Sequence, residues 1–143
     1  NNFTRQESLA VIAHEMGHWE RMHIFKNILI GSAGGILALI IIKTVIDSMG
    51  ISGDFRAVIV AFLIFSLLSF VVMPLENYIS RQFEKNADKV SIELTEKPEA
   101  YANLMENLAK SNLSNVEPGK IIKYILYSHP PIMERIKMAN SYK

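Results

Sequence analysis

Two long stretches without a charged residue dominate the hydrophobic pattern of the chain. Ala57–Leu75 has 19 uncharged residues. As a helix it would extend about 28 Å, close to the ~30 Å hydrocarbon core of a bilayer. Ile28–Ile42 is shorter, but lysines at its edges can reach the interface, which allows a span from about Ile24 to Ile46. The short link Asp47–Arg56 contains two glycines, and we predict two transmembrane helices joined as a hairpin.

Polar helices are predicted on either side of this hairpin. The sequence Thr4-Arg5-Gln6-Glu7 is a capping-box pattern, and the helix that it starts should run from Arg5 to about His23. A second helix is predicted over about Asn77–Leu94, which contains no helix breaker.

Shorter elements are predicted in the C-terminal part. Pro98 suits the first turn of a helix, and Asn112–Gly119 is predicted to be a loop. Ile121–Tyr127 is too short for its periodicity to decide between helix and strand. Ser128–Pro131 should break the chain before a last helix that ends near Asn140. The apolar positions after Pro98 at helical spacing indicate ordinary packing: Tyr101, Leu104, Met105 and Leu108.

Composition excludes several classes of protein. Half of the 143 residues are apolar and the net charge is +1, which excludes a disordered chain and disfavours one that coats nucleic acid. Because cysteine is absent, disulfide scaffolds, iron–sulfur clusters and thiol catalysis are excluded too. The chain starts with Asn1 and shows no signal-peptide pattern. We therefore expect a piece of a longer protein whose upstream region is missing.

A metal-binding motif lies within the first predicted helix. His14-Glu15-Met16-Gly17-His18 is an HExxH sequence, which places two imidazoles on one helical face where they can bind one ion. Zinc accepts imidazole nitrogen, and a catalytic site adds a third protein ligand and a water. Glu15 could take the proton of that water. The alternative is a chance match on a surface helix.

The third ligand cannot follow the three-histidine pattern. That pattern needs a glycine where Arg21 stands and a histidine where Ile24 stands. His23 is five residues after His18, about 140° further round a continuous helix. We therefore expect His23 to point away from the metal, as a surface or interface histidine.

A glutamate on the second predicted helix offers the other common solution. Glu84 would complete the zinc site, and Asp88, four residues later on the same face, could accept the outer N–H of a ligand histidine. By themselves the two residues could be solvated helix charges, but the upstream HExxH motif favours the metal site.

The two spans and the charge pattern predict where the site lies. Two crossings return the chain to its starting side, so both histidines and Glu84 can meet at one membrane face. The segment Lys43–Arg56 holds two of the 15 basic residues, balanced by two aspartates. The other 13 lie on the side of the metal site, which the positive-inside rule assigns to the cytoplasm.

Two further residues are candidates for the chemistry. His129 lies between a serine and two prolines, where it could support a developing oxyanion. Arg135 could bind a substrate carboxylate or pair with a carboxylate such as Asp88. Each also has a purely structural interpretation.

Three blocks of sequence resemble the membrane zinc endopeptidases that include the type I CAAX prenyl protease and the HtpX heat-shock protease. The resemblance covers nearly the whole chain, and Trp19 with the Ser-His-Pro-Pro sequence is more similar to the prenyl protease branch. The blocks are His14–Trp19, Ser80–Asp88 and Ser128–Ile136.

The resemblance implies a role for each candidate residue. His14, His18 and Glu84 would bind one Zn²⁺, with Glu15 as the general base. Asp88 would support a ligand histidine, His129 would assist at the scissile carbonyl, and Arg135 would lie close to the site. Family members also carry further upstream membrane helices and a substrate-binding strand before the catalytic helix, neither of which is present here.

The predicted fold is an all-α, integral, multi-pass membrane metalloprotease fragment. Residues 1–23 form the HExxH helix, 24–76 the two spans, and 77–143 the third-ligand helix and C-terminal helices. The predicted function is zinc-dependent hydrolysis of peptide bonds in membrane-associated, possibly lipidated, proteins or peptides, with the bilayer but no nucleic acid as partner. The alternatives are an HtpX-like quality-control protease of misfolded membrane proteins and a non-catalytic membrane scaffold with a structural metal.

Overall fold

The computed structural model describes residues 3–113 and 115–142, and its regular elements are all helices. No strand occurs in this described part of the chain, which confirms the all-α prediction. In chain order the helices are α1 (Arg5–Glu20), α2 (His23–Ser48), α3 (Phe55–Thr95), α4 (Pro98–Asn112), α5 (Lys120–Leu126) and α6 (Ile132–Asn140).

The chain divides into two compact units. One consists of Ile24–Pro74, and the other combines the chain up to His23 with the chain from Leu75 onward. Because α3 runs from Phe55 to Thr95, the second predicted span and the predicted helix Asn77–Leu94 are a single helix that continues through Pro74.

The Ile24–Pro74 unit contains the apolar helical segments. By length and composition, α2 and α3 are each able to cross a membrane. Residues 49–54 connect them, and Gly50 and Gly53 in this connection have φ angles of 66° and 85°. Glycine suits this left-handed region because it has no Cβ.

The second unit begins with the predicted capping box. The Glu7 backbone N–H donates to Thr4 Oγ1 (3.2 Å), and the Thr4 N–H donates to Glu7 Oε2 (2.7 Å). The predicted end of α1 near His23 was wrong. The helix ends at Glu20, and Met22 adopts a left-handed φ of 54° before α2 begins at His23.

Small residues bring α1 and α3 together in this unit. Ala10 and Ala87 are completely buried, and the buried Ser91 hydroxyl of α3 donates to the Ala10 carbonyl oxygen of α1 at 2.7 Å. The surrounding core is built mainly from α4, with one buried residue each from α1, α3 and α6, and its buried members are Ala10, Ile92, Tyr101, Ala102, Leu104, Met105 and Ala139.

The C-terminal elements agree with the prediction, and the structure decides the one segment that was left open between helix and strand. Ile121–Tyr127, left open between helix and strand, forms the helix α5. The last helix, α6, ends at Asn140 as expected. Within the predicted loop Asn112–Gly119, the described residues other than Asn112 lie outside the helices, while Ser114 is outside the described residues.

Candidate metal centre

Two histidines of α1 and one glutamate of α3 converge at a single point. His14 Nε2 lies 3.1 Å from His18 Nε2. The Glu84 carboxylate approaches both rings, with Oε2 3.5 Å from His14 Nε2 and Oε1 3.3 Å from His18 Nε2. The motif on α1 and the predicted third ligand on α3 are therefore brought together.

The spacing of these atoms fits zinc. Ligand atoms bound to a tetrahedral zinc at about 2.0–2.1 Å lie about 3.3 Å from one another. The two histidine nitrogens are 3.1 Å apart, and each carboxylate oxygen of Glu84 lies close to one of them, at 3.3 and 3.5 Å. Two imidazole nitrogens and a carboxylate oxygen are also the ligand types of a catalytic zinc site with an open fourth position. The chain's own residues therefore supply a ligand set of the right chemistry within 4.8 Å of one another.

Asp88 lies behind the first histidine. His14 Nδ1 is 2.9 Å from Asp88 Oδ1, a hydrogen-bonding distance, although the ring N–H is not well aligned with the oxygen. Burial would lower the pKa of His14, but Asp88 and Glu84 raise it to about 9. Burial would likewise raise the pKa of Asp88, yet His14 and Arg135 hold it below its usual range. Asp88 therefore lies at the Nδ1 side of the His14 ring, while Nε2 faces His18 and Glu84.

Arg135 of α6 forms an ion pair with Asp88. Its guanidinium contacts both carboxylate oxygens of Asp88, with Nε donating to Oδ2 at 2.9 Å. Nε also lies 3.1 Å from the hydroxyl oxygen of Tyr101. Of the two interpretations of Arg135, the structural ion pair is the one that these contacts support. Tyr101, expected only to pack, is both a buried core residue and a polar partner of Arg135.

The two residues with proposed chemical roles lie in more exposed positions. Glu15 is exposed on α1 beside His14. His129 follows α5, its side chain is 61% exposed, and its Nε2 lies 3.6 Å from Glu84 Oε1. The exposed imidazole of His129 therefore lies beside the Glu84 carboxylate.

Comparison with known proteins identifies the family. The model of Peptidase family M48 matches residues 1–143. The chain belongs to this family. It is therefore a member of a metallopeptidase family, and membership together with the two apolar helices indicates a membrane protein.

The relatives of this M48 chain include several proteases. It is 37% identical to "Uncharacterized metalloprotease YhfN" of Bacillus subtilis, with 97% of the chain and 35% of that protein covered. It is 29% identical to the human "CAAX prenyl protease 1 homolog" (96% and 31% covered). Identity to the "Protease HtpX homolog" of Streptococcus uberis is 30% (93% and 54% covered). The chain thus spans about a third of the first two proteins and about half of the third.

A solved structure shares the fold. The crystal structure of S. mikatae Ste24p matches with a TM-score of 0.78 over 92% of this chain and 36% of that chain, at 23% identity. This likeness confirms the all-helical architecture of the M48 chain.

His23 does not point away from the metal centre, and that prediction was wrong. It is 2% exposed, and its Nδ1 lies 3.1 Å from His18 Nδ1. The 140° rotation assumed a continuous helix, whereas α1 ends at Glu20 and the left-handed Met22 turns the chain back. Sequence spacing could not reveal this, because a left-handed methionine has no reliable sequence signal.

Two residues of α3 that the motif search missed hold the segment preceding His129. The buried Arg81 guanidinium donates to the carbonyl oxygens of Lys123 (3.1 Å) and Tyr127. One turn earlier, the Asn77 amide donates to Ile125 O at 2.5 Å. Their spacing was a usable signal, since positions 77, 81, 84 and 88 recur on one helical face.

Proposed function

We propose that this M48 chain carries the active site of a zinc-dependent endopeptidase that acts at a membrane. The observation that supports it most strongly is the convergence of His14, His18 and Glu84, which each offer one ligand atom within 4.8 Å of the others. A fourth protein ligand would favour a structural metal. Among the described residues the metal-binding group has three members, which supports an open fourth position and disfavours the scaffold alternative.

Each nearby residue has a distinct role in the proposed hydrolysis. Zinc, when bound, polarises the substrate carbonyl and acidifies water. Glu15 accepts the proton of the attacking water and delivers it to the leaving amine, as a general base and then a general acid. His129 donates a hydrogen bond to the carbonyl oxygen as negative charge develops there. Asp88, neutralised by Arg135, keeps His14 oriented.

The chain order supports a site at one membrane face. His14 and His18 precede α2, and Glu84 follows the apolar part of α3. Two crossings between the ligands allow both parts of the site to lie on the same side. Because 13 of the 15 basic residues lie outside the segment Lys43–Arg56, we infer that this side is cytoplasmic.

The substrate class follows from the relatives and the membrane location. Several curated relatives are named CAAX prenyl protease 1 homologues, and we infer that the substrate is a membrane-associated peptide or protein, with or without an attached lipid. The HtpX homologue at 30% identity favours the second candidate, a quality-control protease of misfolded membrane proteins.

A cleavage assay tests both the zinc dependence and the substrate class in this proposal. The purified protein in lipid vesicles is given a farnesylated peptide, the same peptide without the lipid, and an unfolded membrane protein. We expect cleavage that a chelator abolishes and that stoichiometric zinc restores. Preference for the farnesylated peptide supports the first candidate, and preference for the unfolded protein supports the second. Cleavage that persists in the metal-free protein would contradict the zinc mechanism.

A further inference from the structure

The two ring nitrogens of His18 face two different partners. Its Nε2 points toward the ligand cluster, 3.1 Å from His14 Nε2 and 3.3 Å from Glu84 Oε1. Its Nδ1 lies 3.1 Å from Nδ1 of His23. The rings of His18 and His23 meet edge to face, with centroids 5.0 Å apart and an interplanar angle of 79°. The Nε2 side of the His18 ring thus faces the ligand cluster, and its Nδ1 side contacts a second histidine.

This arrangement selects one tautomer for each ring. An imidazole binds a metal through an unprotonated nitrogen, so His18 must carry its proton on Nδ1 when Nε2 is the ligand atom. That N–H needs an acceptor. The unprotonated Nδ1 of a neutral His23 is suitably placed, provided that His23 carries its own proton on Nε2.

Packing holds the His23 ring in this position. The ring is 2% exposed and stacks on Phe83, with centroids 4.4 Å apart and planes within 10° of parallel. Phe83 immediately precedes the candidate ligand Glu84 on α3. The left-handed backbone of Met22 directs the chain into this contact. His23 is therefore fixed against the same helix that supplies Glu84.

We propose that His23 is a positioning residue that orients His18 for the metal. His23 contacts the Nδ1 side of the His18 ring, as Asp88 contacts the Nδ1 side of the His14 ring. This proposal rests on the proposed zinc site. The two partners differ in chemistry: Asp88 is a carboxylate paired with Arg135, whereas His23 offers an imidazole nitrogen. His23 therefore orients its ligand without adding a negative charge, which would reduce the ability of the ion to acidify water.

Two substitutions separate positioning from simple packing. His23→Phe keeps an aromatic ring to stack on Phe83 but removes the acceptor. His23→Asn loses the ring but can place its amide oxygen near the position of Nδ1. Zinc affinity is measured by competition with a chromophoric chelator, together with circular dichroism and the melting temperature of the metal-free protein. We expect His23→Phe to weaken zinc binding by about 10–100-fold with the helical fold retained, and His23→Asn to recover most of that loss.

Two measurements complete the test. Nitrogen-15 NMR of the zinc-loaded protein should show His18 protonated at Nδ1 and His23 at Nε2. The cobalt(II) absorption spectrum should change in His23→Phe and return toward wild type in His23→Asn. A folded His23→Phe protein with wild-type zinc affinity would overturn the proposal, as would His18 protonated at Nε2 or equal loss of affinity in both variants.

The experiment also distinguishes failure of this inference from failure of the proposed function. Wild type, His18→Ala and Glu84→Ala are measured alongside. If wild type does not bind zinc more tightly than these two variants, the metal site itself is rejected. If it does, but His23→Phe matches wild type, only the role of His23 is rejected.

Discussion

Gly17 of α1 lies directly against Ala87 of α3. A Cβ atom at Gly17 would stand 2.9 Å from Ala87 Cα, 3.1 Å from Ala87 O and 3.0 Å from Val90 Cβ. Gly17 immediately precedes one candidate ligand, His18, and Ala87 lies three residues after another, Glu84. The missing side chain of Gly17 therefore sets the helix separation at which the two histidines and Glu84 can share one ion.

Gly17→Ala should lower both stability and metal affinity. The new methyl group meets backbone atoms, which cannot rotate away, so the helices must separate. Overpacking of this kind costs about 1–3 kcal/mol, more than the gain of up to about 1 kcal/mol in helix propensity. Thermal unfolding and chelator competition measure the two effects. Gly34→Ala in α2, where nothing lies within 4 Å, is the matched control and should not lower either quantity.

Glu15→Gln should abolish proteolysis while zinc stays bound. The amide cannot accept the proton of the attacking water, and loss of a general base costs about 10²–10⁴-fold in rate. Metal content by atomic absorption and cleavage rate are measured on the same sample. Glu20→Gln, an exposed change of equal charge on the same helix, is the control. Wild-type activity in the Glu15 variant would refute the assigned role.

Glu84→Ala should remove zinc binding itself. The change deletes one of three proposed protein ligands, the carboxylate that lies within 3.5 Å of Nε2 of both histidines. Equilibrium dialysis against buffered zinc measures the loss, which we expect to exceed that of any variant outside the cluster. Glu76→Ala, exposed on the same helix, should bind zinc as wild type does. Equal zinc affinity in the two variants would place the third ligand elsewhere.

Arg135→Met should destabilise the protein more than loss of a surface ion pair. Asp88 is fully buried, and removing one member of a buried pair costs about 3–5 kcal/mol because the other charge stays unpaired. Lys137 is also on α6 but pairs with Glu117 at 3.9 Å in an exposed position, so Lys137→Met should cost at most about 1 kcal/mol. Denaturant unfolding compares the two. Similar losses would mean that the Asp88 charge is compensated by other groups.

Glu7→Gln should change the acid dependence of stability. Hydrogen bonds from the backbone and hydroxyl of Thr4 hold the pKa of Glu7 below its usual value of 4.5, helped by the Asn107 amide. A lowered folded-state pKa stabilises the protein above about pH 4.5, and this contribution is lost as the pH falls through the folded value.

This prediction is tested by comparing the melting temperatures of wild type and Glu7→Gln over a range of pH. Wild type should melt at a higher temperature than Glu7→Gln at pH 6, and the difference should shrink as the pH falls below 4.5 and through the lower folded-state pKa. Carboxylates such as Glu84 and Asp88 titrate in both proteins and so cancel from the difference. Glu20→Gln should follow wild type throughout. A constant difference between wild type and Glu7→Gln would show that only the shape of the side chain matters.

Local signals predicted much of the fold and of the site. The uncharged stretches located α2 and the first part of α3, because hydropathy is a property of consecutive residues. The capping box at Thr4 placed the start of α1, since its hydrogen bonds join residues three apart. The HExxH spacing and the pair Glu84–Asp88 identified candidate ligands, because residues four apart share a helical face.

Other features depended on atoms that are distant along the chain. The direction of His23 was predicted wrongly because the 140° rotation from His18 assumes a continuous helix. The left-handed backbone at Met22, which has no sequence signal, interrupts that helix. Arg81 was missed because its partners, Lys123 O and Tyr127 O, are backbone atoms about 40 residues away.

Sequence alone therefore located most of the helical segments and the side chains that could bind a metal, since both follow from near-neighbour spacing. Only the tertiary structure decided how those side chains are held. It brought α1 against α3 at Gly17, paired Arg135 with Asp88, and placed His23 behind His18. These contacts depend on how helices approach one another in space, which the spacing of residues along a single helix does not specify.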